Sequence, residues 1–289
     1  MKRFIFNISA GFVFVILIYF ISLNILFSIL KNQISNSEII ILGDSHTQHL
    51  NIPNSFNYSI AGASYVLHYN FIKQFKKEIK GKKILFSVSS NNLANFKEYK
   101  FKNVDKNIAW INKTNKNLNL LSIFPTKKFN KFEWREKKII DFDVLKNLVE
   151  YYYLNHIKIK KSNEKFAQPS NFAKTINRHF GDSISIINDR TEILYLEKSL
   201  LELESNKCNI FLYNSPKTDY YNINTPKIFK NRIDTFLNKK NEKYFVLNYH
   251  NFNSSNLLIF RDADHMNHMG EIKISKIILD EINQLMKEK

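Results

Sequence analysis

Between residues 4 and 30 the chain carries no charged side chain. As a helix this run would extend about 40 Å, more than the roughly 30 Å of bilayer hydrocarbon, so it can cross a membrane with tilt. A cleaved export signal needs a shorter apolar region and a small-residue cleavage site, whereas Lys31, Asn32 and Gln33 follow here. Residues 1–34 are therefore expected to form one N-terminal transmembrane anchor. Lys2 and Arg3 precede the run, which under the positive-inside rule leaves the amino terminus in the cytoplasm and residues 35–289 outside it.

The formal charge of +17 first suggests an anionic partner, but 37 of the 43 basic residues are Lys and 6 are Arg. Phosphate and base recognition favour the Arg fork. With 38 Asn beside them, the lysines reflect a compositional bias spread along the chain. Together with the expected export this argues against nucleic acid as a partner. A hydrophobic content of 44%, with 25 Phe and 14 Tyr, is enough for a large core and excludes general disorder. The one cysteine, Cys208, cannot form an internal disulfide, and its apolar surroundings suit a buried strand position better than a reactive thiol.

Continuous apolar runs at 38–42, 83–88, 208–213 and 244–248 have the character of strands buried on both faces of a parallel sheet. Segments with helical spacing lie at 65–79, 191–204, 225–237 and 271–286. Strand alternating with helix predicts a three-layer α/β domain over 35–289 with a mainly parallel sheet. Residues 95–189 break the alternation and are expected to be an inserted, Lys- and aromatic-rich segment. Its 97–161 portion has 16 basic and 7 acidic residues, a net +9, and suits a cap or a surface for anionic envelope material.

Ligands of open parallel sheets collect at the carboxyl ends of the strands. There the first apolar run leads into Gly43, Asp44, Ser45, His46, Thr47 and Gln48, putting a serine at an expected strand-to-helix turn. A hydroxyl is a weak nucleophile until a base takes its proton, and the base needs an acceptor that fixes its tautomer. Asp262 and His265, before the last helical segment, can supply both groups from one short loop. Asp264 also precedes His265, but adjacent side chains usually point apart, so it ranks second as the orienting acid. His46, His49 and His268 are read as surface or site-lining residues, and His68 as a packed histidine on the apolar side of a helix. The tyrosines at 151–153, with Tyr220 and Tyr221, are read as core or lid aromatics before sugar-stacking ones.

These blocks resemble the SGNH or GDSL-type hydrolases. Gly43-Asp44-Ser45-His46 matches the first block, and Asp262-Ala263-Asp264-His265 with Asn267 and Gly270 matches the last. Asn57 to Gly62 is similar to the second block. Ser89-Ser90-Asn91-Asn92 stands where the third normally has Gly-x-Asn-Asp, so the glycine is missing. The resemblance covers 38–95 and 190–289 and implies a flavodoxin-like domain with a five-stranded sheet and no cofactor or metal. It also implies Ser45 as nucleophile, His265 as general base and Asp262 as its orienting acid. The oxyanion would be held by the Ser45 and Gly62 amides and the Asn91 side chain, with Asn92 as the substitute.

The expected activity is ester hydrolysis or O-acyl transfer, acetyl above all, on an extracytoplasmic glycan or envelope polymer by a membrane-tethered enzyme. A non-catalytic member of an envelope assembly complex is the alternative of a different kind. Asp44-x-His46 and the spacing of His265 and His268 also permit a metallophosphoesterase, but the further His and Asn clusters of a two-metal site are absent from the sequence.

Overall fold

The computed structural model describes residues 25, 27–94, 166–181 and 191–288. Five parallel strands form one sheet, β1 (Ile39–Gly43), β2 (Ser55–Ser59), β3 (Lys83–Ser87), β4 (Asn209–Asn214) and β5 (Phe245–Asn248), in the order β2-β1-β3-β4-β5. The helices are α1 (27–36), α2 (Tyr65–Gln74), α3 (Phe172–Phe180), α4 (Thr191–Ser205), α5 (Asp219–Asn224), α6 (Lys227–Asn241) and α7 (His268–Lys287). The chain builds outward from β1 to β2 on one side and from β3 to β5 on the other. The switch point therefore lies between the carboxyl ends of β1 and β3, where open α/β sheets form their crevice.

The central strands are apolar throughout because both faces of the sheet are covered. Ile40 and Leu42 of β1, Ile84 and Phe86 of β3, and Ile210 and Leu212 of β4 enter one core, with Phe71 of α2 and Leu196 and Leu200 of α4. Their alternates Ile39, Ile41, Leu85, Phe211 and Tyr213 enter the other, against Phe172 and Phe180 of α3 and Ile274, Ile278 and Ile282 of α7. The α7 residues recur every fourth position and so line one face of the helix. Each fully buried aliphatic or Phe side chain contributes about 1.5–3 kcal/mol relative to exposure.

The alternation of strand and helix is as expected, and four of the five strands occupy the apolar runs. The strand not anticipated is β2, whose sequence Ser-Phe-Asn-Tyr-Ser buries Phe56 and Tyr58 in one core and Asn57 on the other face. Asn57 is accommodated by donating to the Thr47 carbonyl at 2.8 Å, a local solution that an apolar-run criterion does not detect. The segment 65–79 is helical only to Gln74 and continues as turns. The segment expected from 225 begins at Lys227, after Pro226, and is preceded by the short α5, whose N-cap Thr218 accepts from Tyr221 N. Cys208 is half-buried at the start of β4, and burial raises its thiol pKa to about 11, in keeping with a packing residue.

No helix among the described residues is long and apolar enough to cross a membrane. The uncharged run at 4–30 lies largely outside the described residues, as do the tyrosines at 151–153 and most of the segment 95–189.

Candidate active site

The loop after β1 is a series of turns, not the start of a helix. Gly43, the last residue of β1, has no room for a side chain, which would meet Thr47 Oγ1 at 2.0 Å and Ser87 Cβ at 3.0 Å. The Asp44 carboxylate accepts from His46 N at 3.0 Å, and Thr47 N donates to the Asp44 carbonyl at 3.2 Å, which folds the chain back and leaves Ser45 at the bend. The expected helix N-terminus behind the Ser45 amide is therefore replaced by this turn.

The second loop is shaped by Asp262 and Asn267. Asp262 Oδ1 accepts from Asp264 N at 3.1 Å and from His265 N at 2.8 Å. Asn267 caps α7 by accepting from Gly270 N and also donates to the Leu258 carbonyl. Gly270 packs so near the preceding 3₁₀ turn that a side chain would sit 2.3 Å from the Ile259 carbonyl oxygen. The loop is thus held between a capped helix and a short antiparallel bridge pairing Phe260 with Met266.

These two loops bring Ser45, His265 and Asp262 together across more than two hundred residues of sequence. His265 Nε2 lies 2.8 Å from Ser45 Oγ, and its Nδ1 lies 2.9 Å from Asp262 Oδ1. Asp264, ranked second in the sequence, also reaches His265 Nδ1 at 3.2 Å. Adjacent side chains converge here because the turn directs both toward the ring. The two acids differ in setting, since the Asp264 side chain is 0% exposed and that of Asp262 32%. Burial alone would lower the His265 pKa, but the Asp264 charge, reinforced by Asp262, raises it to about 9. Burial likewise opposes the charge on Asp264, yet His265 and His46 hold its carboxyl well below the usual range. At neutral pH His265 is then an imidazolium, and it must lose a proton before it can accept one from Ser45.

Of the two readings given for His46, surface or site-lining, the structure bears out the second. The His46 side chain is 3% exposed, and its ring lies parallel to that of His265 with centroids 4.4 Å apart and an interplanar angle of 6°. Nδ1 faces Asp44 Oδ1 at 2.8 Å and Nε2 faces Asp264 Oδ2 at 3.0 Å. Asp264 therefore bridges the edges of two stacked imidazoles and links both loops. Asp44 is the anchor on the far side, accepting at Oδ2 from Asn91 at 3.1 Å and Asn92 at 2.8 Å. Ser89 Oγ, 2.5 Å from Asn91 Oδ1 and 2.8 Å from Asn92 Oδ1, sets the direction of those amides. The two asparagines expected as side-chain oxyanion donors thus each commit one N–H to Asp44. Gly62 follows β2 at φ 73, and the β2 end is tied to the β1 end by Ile60 N donating to the Gly43 carbonyl at 3.1 Å. That left-handed φ is one glycine adopts without strain.

Two further residues come from the segment expected to be an insertion. Arg178 approaches Asp264 Oδ1 at 3.8 Å, and His179 approaches Asp264 Oδ2 at 3.8 Å while its Nδ1 faces Tyr221 Oη at 2.8 Å. Burial lowers the His179 pKa to about 4, although Asp264 pulls it upward, so it sits beside the site as a neutral ring. The one sequence signal for α3 was its amphipathic apolar spacing, Phe172, Ile176 and Phe180. His68 is buried among Tyr58, Tyr65 and Phe86, as read. Tyr221 is core and Tyr220 half-exposed against Phe172.

His46, Asp264 and His265 place potential metal-ligand atoms within 4.8 Å of one another. Each of the four ring nitrogens already faces a protein oxygen, so these residues are arranged as a hydrogen-bonded relay ending on a hydroxyl. Neither a scan against protein-family models nor a search of curated proteins finds a match to this chain.

Proposed function

We propose that the chain is a serine esterase or O-acyltransferase of the SGNH type, acting on acyl groups, acetyl foremost, ester-linked to an extracytoplasmic glycan from a membrane-anchored, outward-facing domain. The observation that carries this reading is the continuous contact from Ser45 Oγ through His265 to Asp262 and Asp264. A base on one side of a hydroxyl and carboxylates on the far nitrogen of that base are what acyl transfer requires. The strand order, with helices on both faces, supports the flavodoxin-like arrangement of that family, and the blocks at Ser45 and at Asp262 to His265 fall at its crevice.

In this reading neutral His265 takes the Ser45 proton as Oγ bonds to the acyl carbonyl carbon. The oxyanion is met by the Ser45 and Gly62 amides and the remaining N–H of Asn91. Collapse breaks the ester bond, and His265 returns the proton to the departing sugar oxygen. Water or an acceptor hydroxyl then repeats the sequence on the acyl-enzyme, giving hydrolysis or transfer. No cofactor enters. Labelling of the full chain by a fluorophosphonate tests it: reaction at Ser45, abolished in Ser45→Ala, is expected, and an unlabelled native protein would sink the serine mechanism.

One observation favours a non-catalytic role in an envelope assembly complex. The Asn91 and Asn92 amides are turned onto Asp44 and no glycine opens that loop. A native protein that binds glycan but neither labels nor turns over any acetyl ester would support it. The proximity of His46, Asp264 and His265 leaves metallophosphoesterase chemistry as a lesser alternative, which chelator-sensitive phosphoesterase activity would support.

A further inference from the structure

Beside the relay, at the carboxyl ends of β3, β4 and β5, lies a cleft of about 280 Å³ that the esterase mechanism does not use. No relay residue lines it, and its link to the relay runs through neighbouring backbone. Ser90 on one wall immediately precedes Asn91, and Lys217 on another is followed by Thr218, which is tied to the loop before α7. Lys217 N donates to the His250 carbonyl at 3.1 Å, and Thr218 donates from N at 3.1 Å and from Oγ1 at 2.7 Å to the carbonyl of Ala263, between the two aspartates.

The lining mixes polar and charged side chains with apolar surface. Lys217 is 2% exposed, and its one hydrogen-bond acceptor among the described residues is the neutral Ser215 Oγ at 2.6 Å, although an ammonium carries three donors. Around it stand the amides of Asn214, Asn222 and Asn251 and the hydroxyls of Ser90 and Thr225. The other charged or titratable groups are Lys230, Asp219, Asp234 and His250, so acids and bases balance and the cleft does not select strongly for an anion. Ile223 and Ile233 are its only lining residues with wholly apolar side chains, and the rest bring polar groups to the same walls. Hydroxyl groups both donate and accept, so a lining of this kind matches a polyol. The volume is near the small end of ligand sites, about 300 Å³, sized for a single ring with the rest of a polymer outside.

We infer that this cleft, between Lys217 and the exposed residues Asp234 and Asn251, binds one sugar unit of the acylated glycan and so presents its ester to Ser45. This rests on the esterase reading and selects a saccharide over a lipid ester within it. Lys217 donates from the floor, the Asn and Asp side chains bind ring hydroxyls, and the sugar's bulk excludes water from the relay.

The test uses the full chain carrying Ser45→Ala, which binds without turnover, and saturation-transfer NMR with three probes: an N-acetylhexosamine oligomer, a hexuronic acid oligomer and phospholipid micelles. Transfer to the ring protons of at least one saccharide is expected, falling at least about 5-fold on adding Asp234→Ala or Ile223→Trp, the latter filling the mouth of the cleft; one or two lost hydrogen bonds correspond to that factor. In the otherwise native protein the same changes should raise KM for the acetylated form of that oligomer about 10-fold while leaving kcat/KM for an aryl acetate within 2-fold. Transfer from micelles alone, no saccharide transfer, or saccharide transfer that both substitutions leave intact would overturn the cleft assignment. Absence of aryl acetate turnover in the native protein would instead count against the esterase reading, with the NMR result still deciding the cleft.

Discussion

The loop after β1 and the loop before α7 each hold an imidazole against Asp264, yet the two rings are placed for different work. His265 has carboxylates on one nitrogen and the Ser45 hydroxyl on the other, so a proton can pass along it. His46 faces a carboxylate at both nitrogens and ends on no hydroxyl. One ring is suited to proton transfer and its stacked neighbour to charge compensation. The difference teaches that a histidine beside a serine hydroxyl is not defined by proximity, since what it can do follows from what its second nitrogen faces. It also gives Asp264 a role that a three-residue relay does not require, as the buried acid against which both rings are set.

The sharpest way to break the comparison is to remove the hydroxyl. Ser45→Ala should lower kcat on an aryl acetate by at least about 10⁴-fold, as expected for loss of the attacking group. Measured turnover within 10-fold of native would show that the His265 side of the pair is no more catalytic than the His46 side. The next test changes the shared acid. Asp264→Asn should cut kcat/KM by about 10³-fold on the plateau above the pH inflection, whereas Asp262→Asn, acting on a half-exposed carboxylate, should cut it about 10-fold. Equal losses would mean that burial of Asp264 confers nothing.

The pH dependence follows the same logic. With the folded His265 pKa near 9, above its unfolded 6.5, kcat/KM should rise with pH toward an inflection near 9. The stability that His265 contributes should be complete below pH 6.5 and decline as pH rises through 9. Both features should shift to lower pH in Asp264→Asn, and Tm and kcat/KM profiles that do not move would disprove the electrostatic role of that acid. His46→Ala should instead act mainly on stability. Leaving Asp44 and Asp264 buried without their shared partner should cost about 3–5 kcal/mol in urea unfolding. The smallest effect is expected at Gly43→Ala, where crowding of Thr47 should cost about 1–3 kcal/mol. An unchanged unfolding midpoint would mean that the β1 turn relaxes freely.

Much of the site was legible because motif residues lie next to strong local signals. Ser45 follows an all-apolar strand, and Asp262 and His265 occupy a short loop before a helix with an Asn cap and apolar residues at every fourth position. The β2 strand was not legible, because its buried Asn57 is satisfied by the Thr47 carbonyl ten residues earlier, in a turn outside any periodic pattern. Nor was α3, since what places Arg178 and His179 at Asp264 is the docking of Phe172 and Phe180 into a core assembled from distant strands.

Residue order alone, then, determined the alternation of strand and helix and the identity of a serine, a histidine and an acid able to work together, because apolar period, capping and turn chemistry are local. Which acid is buried, which histidine stacks as a partner and which wall forms the cleft were decided only in three dimensions. Those properties depend on desolvation and on distances between loops that meet only when the sheet closes its order, and neither quantity exists along the chain.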